Sequence, residues 1–335
     1  MDHTQTNKLI RQDVEVGQLG LGAVALSGLY EPVEHDQAVA TVRTALDRGV
    51  RYLDVAPFYG TGLGELRYGD ALRGVDRGTY SLSTKVGRRL EKLPNGERRE
   101  PAAMFEGQTP YTFTWDWTPD GLERGLAGSL ERLGTDHVDI VYCHDCDFYE
   151  KEEDTTFDDR TANEVFATLD GLRSQGMLKA IGFGLNLDDF LLRMVRNLDL
   201  DVILCAGRYT LLEQPAAREL LPACEERDVS VVVGGPFNSG LLANPDEHAH
   251  YEYDEAPKEK VERARQLAEI CKSHNVPLQA AALQYPLRHH QIASVLVGCK
   301  SPEEVTENLD FFGTDVPDSL WSELDEFNSE DGSAS

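Results

Sequence analysis

Lysine is scarce in this chain, and so are cysteine, tryptophan and long apolar runs. Of 335 residues, 32 are basic and 59 acidic, giving a formal net charge of −27. Only 9 of the basic residues are lysine; the other 23 are arginine. Such a surface should repel nucleic acid and anionic lipid, so neither is an expected partner. Six cysteines, widely spaced, exclude a disulfide-dense scaffold and imply reduced thiols. No apolar run approaches the ~20 residues of a membrane-spanning helix. The start, Met1-Asp2-His3-Thr4-Gln5, has neither a basic nor an apolar leader region, and the expected location is the cytoplasm. Many acids beside few lysines fit a protein adapted to high salt, where screening relieves self-repulsion. A hydrophobic fraction of 41% still supplies a sizeable core.

What the chain does have is regular alternation of strand and helix. Gln18–Leu26 reads as the first strand, Val50–Ala56 as the second, Tyr80–Gly87 as the third and Val138–His144 as the fourth. Leu178–Gly184, Asp201–Ala206, Val229–Val233 and Ile292–Val297 complete eight. Amphipathic segments follow them: Glu34–Arg48, Glu65–Leu72, Asp120–Leu133, Ala162–Gln175, Asp189–Asn197, Ala216–Arg227, Lys258–Ser273 with Leu278–Leu287, and Pro302–Phe311. Parallel βα units in that number predict an α/β fold, a (β/α)8 TIM barrel, as one domain over residues 1–328. An open doubly wound sheet would want a glycine-rich phosphate turn, and Gly20-Leu21-Gly22 is only G-x-G. Leu9–Val16 could form a hairpin plugging the barrel bottom. Long rim loops are expected after strands three, four and seven: Arg88–Trp117, Asp145–Arg160, and the stretch through Glu255. The aromatic alternation Tyr111, Phe113, Trp115, Trp117 suits a lid or a rim hairpin. Asp318–Phe327 should cap the bottom or side, and the tail from residue 329 to 335 should be disordered.

The strand ends carry the chemistry. Asp54 closes strand two and Tyr59 follows in its loop; Lys85 closes strand three and His144 closes strand four. In a barrel these ends meet at one mouth. Asp54 and Lys85 can pair, and a buried ammonium lowers the pKa of a nearby phenol. A tyrosine tuned in this way moves a proton at an alcohol or carbonyl carbon. Such a set has no electron source, and a nicotinamide would complete it. Cys143-x-x-Cys146 brackets His144 and invites a zinc reading, but neighbouring strand residues face opposite ways and no second ligand pair stands out. No metal is expected. Phe58, Trp115 and Trp117 are candidates for a substrate-facing wall.

Leu53-Asp54-Val55-Ala56 with Tyr59, Ser83-Thr84-Lys85-Val86-Gly87, Cys143-His144-Asp145, Lys179–Gly184 and Val297–Pro302 with Glu307-Asn308 resemble the aldo-keto reductase superfamily over nearly the whole chain. The resemblance implies Asp54, Tyr59, Lys85 and His144 as a catalytic tetrad, with Tyr59 the acid or base. It also implies NAD or NADP bound without a Rossmann fold. Asp145-Cys146-Asp147, Gly207–Leu212 and Gly234–Leu242 resemble the branch of aldose 1-dehydrogenases, which oxidise C1 of a cyclic sugar to a lactone. Implied cofactor contacts are Asn186, then Gly235, Pro236, Asn238, Ser239 and Leu241, then Gly298, Lys300, Ser301, Glu304 and Asn308. Two positions depart from the pattern: Gly234 or Gly235 stands where an aromatic often lies under the nicotinamide, and Ala206 replaces a glutamine. Glu304 stands where an arginine often meets the NADP 2′-phosphate; a carboxylate repels that phosphate, which favours NAD. The alternatives are an NADPH-dependent aldehyde or ketone reductase, a metal-dependent hydrolase or aldolase, and a catalytically silent cofactor-binding subunit.

Overall fold

Alternation along each strand sorts the side chains into two cores. The structure, a computed structural model, describes residues 1–330 apart from 154, 248, 249 and 253. The barrel strands are β1 (Leu19–Gly22), β2 (Tyr52–Asp54), β3 (Ser81–Val86) and β4 (Ile140–His144), then β5 (Ala180–Leu185), β6 (Val202–Ala206), β7 (Ser230–Gly234) and β8 (Ile292–Gly298). They pair in parallel in chain order, and β8 pairs β1 to close the ring. This is the expected (β/α)8 barrel.

Residues facing outward, such as Leu53, Val86, Cys143 and Phe183, join the helices in the larger core. Residues facing inward, such as Tyr52, Ile140, Tyr142, Val202 and Leu296, fill the lumen. The helix Pro119–Leu133 shows how sequence sets the outer layer. Thr118 caps it by accepting from the Gly121 N–H at 3.1 Å, and Pro119 begins the first turn. Leu122, Leu126, Leu130 and Leu133 recur at helical spacing and are buried. Gly134, at φ 68°, ends the helix in the left-handed conformation.

The bottom hairpin exists with shifted bounds. Thr6–Lys8 pairs antiparallel with Glu15–Gly17, and Leu9–Val14 form its connection. Leu9, Val14 and Val16 are buried in the lumen cluster, so the hairpin plugs the barrel base.

Several boundaries differ from expectation. β1 ends at Gly22, and Ala25–Ser27 is a 3-10 turn rather than strand, because Ser27 bonds back to the Ala23 carbonyl at 2.6 Å. The segment Ala216–Arg227 splits into a turn at Pro215–Ala217 and a helix at Leu220–Glu226. The rim after β4 is not loop throughout: Cys146–Glu152 is a helix, and the next helix starts early, at Asp159, capped by Asp158. The rim after β3 is a hairpin, Arg88–Lys92 against Tyr111–Trp115. The rim after β7 includes a short pairing of His250–Tyr251 with Asp254–Glu255. The last helix, Asp318–Glu330, carries Ser329 and Glu330 where a disordered tail was expected. The rest of that tail, 331–335, lies outside the described residues. No helix among the described residues is long and apolar enough to cross a membrane.

Candidate active site

β2, β3 and β4 bring Asp54, Lys85 and His144 to one mouth, as their positions in the sequence predict. Lys85 is 1% exposed and donates to Asp54 Oδ2 at 2.6 Å and to the Val55 carbonyl at 3.1 Å. The other oxygen of Asp54 accepts from Ser83 Oγ at 2.6 Å. Both carboxylate oxygens are therefore used, which offsets the cost of burying the charge. Beneath them the Tyr52 hydroxyl lies 3.0 Å from Ser83 Oγ and 3.0 Å from the Tyr142 hydroxyl. Tyr142, Tyr52, Ser83, Asp54 and Lys85 form a polar column inside the barrel. Burial raises the pKa of Tyr52 and of Tyr142, so both stay phenols. The sequence reading missed this column. Its signal was present: Tyr52, Ser83 and Tyr142 stand two residues before Asp54, Lys85 and His144, on the same strand face.

Tyr59 comes from the loop after β2. The Lys85 ammonium lies 4.7 Å from its ring centroid, and the His144 ring meets it edge-on with centroids 5.8 Å apart. The four expected residues are thus neighbours. His144 is pushed well below its ordinary pKa by burial first, then by Lys85 and Arg88, and is neutral. Asp145, next in sequence, has φ 50° and places Oδ1 3.2 Å from His144 Nε2. Its Oδ2 accepts from the Arg88 guanidinium at 2.5 Å.

Arg88 was not foreseen. It is 3% exposed, with its guanidinium carbon 3.9 Å from the Phe58 ring centroid and 3.9 Å from that of Trp115. Two of the three rings expected to face substrate therefore stack on an arginine. The third, Trp117, packs on Phe157 in the outer core, and a Cβ on Gly87 would lie 2.2 Å from its ring. Trp117 is a core residue, not a wall, because Gly87 leaves room for the indole beneath the rim.

The expected cofactor residues gather at the ends of β5, β7 and β8. Asn186 follows β5, and its carbonyl accepts from Arg208 Nε at 2.5 Å. After β7, Gly235, Asn238 and Ser239 all have positive φ, and Pro236 is buried. Asn238 is 6% exposed, and its Oδ1 has no hydrogen-bond partner. That orphaned acceptor, beside backbone turned left-handed, suits an amide or hydroxyl donor of a bound group. Leu241 is fully buried, so its side chain belongs to the core and only its backbone is available. After β8, Gly298 is exposed and Ser301 caps the helix Pro302–Gly313. Glu304 accepts from the Lys300 N–H at 2.7 Å, a reciprocal cap, rather than standing free for a ribose. Lys300 Nζ pairs with Glu31 at 2.5 Å, and Asn308 donates to Cys299 Sγ at 3.3 Å. Cys143 Sγ and Cys146 Sγ lie 3.3 Å apart in the core, and burial pushes the Cys146 thiol up. Among the described residues no group of three or more His, Cys, Asp or Glu is arranged to hold a metal.

A lysine–aspartate pair, a tyrosine and a histidine stand together at the C-terminal mouth of a parallel barrel, and comparison with known proteins places the chain in a class of oxidoreductases. The aldo/keto reductase family profile matches residues 18–329, and the chain belongs to that family. It is an NAD(P)-dependent oxidoreductase. It is 42% identical over 315 residues to a D-threo-aldose 1-dehydrogenase from Pseudomonas sp, covering 92% of this chain and 93% of that one. It is 35% identical over 331 residues to a pyridoxal 4-dehydrogenase from Microbacterium luteolum, covering 96% of each. Among solved structures, the holo form of an aldo-keto reductase from Bacillus halodurans superposes with a TM-score of 0.74 at 25% identity, covering 97% of this chain and 96% of that one.

Proposed function

We propose that the protein oxidises the C1 hydroxyl of a cyclic aldose to the lactone, with NAD as the preferred cofactor. The observation that carries the reading is the Lys85 ammonium, fixed by Asp54 and held 4.7 Å from the Tyr59 ring centroid. A positive charge at that distance favours phenolate over phenol. Tyr59 is then the base that takes the O1 proton in oxidation and the acid that returns it in reduction. Neutral His144 holds the same oxygen and orients it toward Tyr59. Asp54 keeps Lys85 charged and aimed, with Ser83 and Tyr52 bracing it from below. When bound, the nicotinamide ring supplies the acceptor for the hydride from C1. Asn186, Gly235, Pro236, Asn238, Ser239, Gly298, Lys300, Ser301 and Asn308 are the residues assigned to hold it, with Leu241 offering only its backbone and Glu304 acting as a fixed charge beside them.

The preference for NAD rests on charge at the β8 end. Glu31 already neutralises Lys300, and Glu303 and Glu304 stand in the first turn of the following helix. A 2′-phosphate there would meet these carboxylates, with Lys300 already paired. The sugar reading draws support from the 42% identical aldose dehydrogenase. Single turnover chemistry at an aldehyde would use the same four residues in reverse.

The test is the purified protein in molar KCl with L-fucose, D-arabinose or D-xylose and either NAD or NADP. Reduced nicotinamide should appear, faster with NAD. Reduction of simple aldehydes without oxidation of any aldose would replace this reading by that of an aldehyde reductase.

A further inference from the structure

Arg88 and Asp145 have no part in the proton and hydride transfer, yet they sit against it. Arg88 is clamped between Phe58, the neighbour of Tyr59, and Trp115 of the rim hairpin. It spends one nitrogen on Asp145 Oδ2. That bond leaves Asp145 Oδ1 3.2 Å from His144 Nε2. Arg88 cannot swing away, because aromatic rings cover both of its faces. Asp145, at the junction of β4 and the helix Cys146–Glu152, is held by that same bond to Arg88. The result is a fixed carboxylate oxygen beside the nitrogen that would hold the reacting oxygen.

Those two atoms have opposite characters. A neutral imidazole N–H donates, and a carboxylate oxygen accepts. Their separation is comparable to that between oxygens on adjacent carbons of a sugar. We propose that Asp145, braced by Arg88, accepts the hydroxyl on the carbon next to C1, and so determines that the site takes hydroxylated sugars rather than simple alcohols. The proposal rests on the aldose reading above. Two residues on, within the helix Cys146–Glu152, the buried Asp147 Oδ1 has no hydrogen-bond partner. A hydrogen bond to a charged acceptor discriminates by roughly 10- to 100-fold in binding or rate.

The experiment compares an aldose with its 2-deoxy counterpart, using the protein with NAD, in the wild type and in Asp145→Asn. The wild type should favour the parent sugar by about 10- to 100-fold in kcat/KM. Asp145→Asn keeps an oxygen for Arg88 and turns the other atom into an N–H donor, so the acceptor is lost. It should erase most of that preference by raising KM for the parent sugar much more than for the deoxy sugar. Equal losses on both sugars, with the preference intact, would mean that Asp145 acts only through His144 or through folding, and would overturn the proposal. Equal wild-type turnover of the two sugars overturns it without any variant. Silence toward every aldose removes the parent reading and this one together, whereas the other two results remove this one alone.

Discussion

Lys85 with Asp54 and Arg132 with Glu65 are both cation–carboxylate pairs at 2.6 Å, nearly out of reach of water. Both are anchored on β3. Lys85 points into the lumen, while Thr84, one residue earlier, points outward and donates to Glu65 Oε1 at 2.9 Å. The outer pair joins the helix Leu63–Leu72 to the helix Pro119–Leu133 and touches nothing that could react. The inner pair stands under Tyr59. Burial and distance are the same for the two, so neither marks a functional charge. The face of the strand does, because only one face opens onto the mouth.

That contrast can be broken by substitution. Tyr59→Phe should lower kcat by about 10²- to 10⁴-fold with an unchanged melting temperature. Retained turnover would remove the inner pair's purpose. Arg132→Met leaves the buried Glu65 carboxylate without its cation, with only Thr84 donating to it, and should cost about 3–5 kcal/mol in urea unfolding, with kcat/KM kept under permissive conditions. The cost should persist in molar KCl, since salt screens exposed charges and hardly reaches buried ones. The protein as a whole should melt higher in KCl, because its net charge of −27 makes the acids at its surface repel one another.

A gentler probe is pH. The folded pKa of His144 lies well below its ordinary value, so the unfolded chain binds that proton more readily. The neutral ring's contribution is complete above an unfolded pKa of about 6.5 and is lost as pH falls toward the folded value. Replacing His144 with glutamine should flatten that part of the stability–pH curve; an unchanged slope would mean the ring is not held neutral. The smallest effect belongs to Glu304→Gln, which weakens the reciprocal cap at Lys300 by about 1 kcal/mol or less. It should also narrow the preference for NAD over NADP.

The barrel and the clustering of Asp54, Tyr59, Lys85 and His144 at its mouth were legible because each depends on local rules. Strand alternation and strand-end position identify Asp54, Lys85 and His144, and a proline that ends the strand leaves Tyr59 in the loop. Arg88 with Asp145 was not legible. The two are 57 residues apart, and their contact exists only because β3 and β4 are neighbours in the ring. Trp117 misled for a related reason. Its alternation with Trp115 was visible, but the room for it is made by Gly87, far earlier in the chain at the bend after β3. The residues after β8 were placed at the right element, yet their side chains cap and pair within the chain, and such reciprocal bonds leave little trace in composition. The helix Cys146–Glu152 hid inside an acidic stretch that lacks helical periodicity.

The hairpin under the barrel bears on where a proton would go. Leu9, Val14 and Val16 close the base with apolar side chains, and the column above them ends at Tyr52 and Tyr142, two phenols that burial keeps from ionising. Under the proposed reading, a proton taken by Tyr59 has apolar packing below it and the mouth above it. Proton release and product release would then share the opening that lets bulk water in.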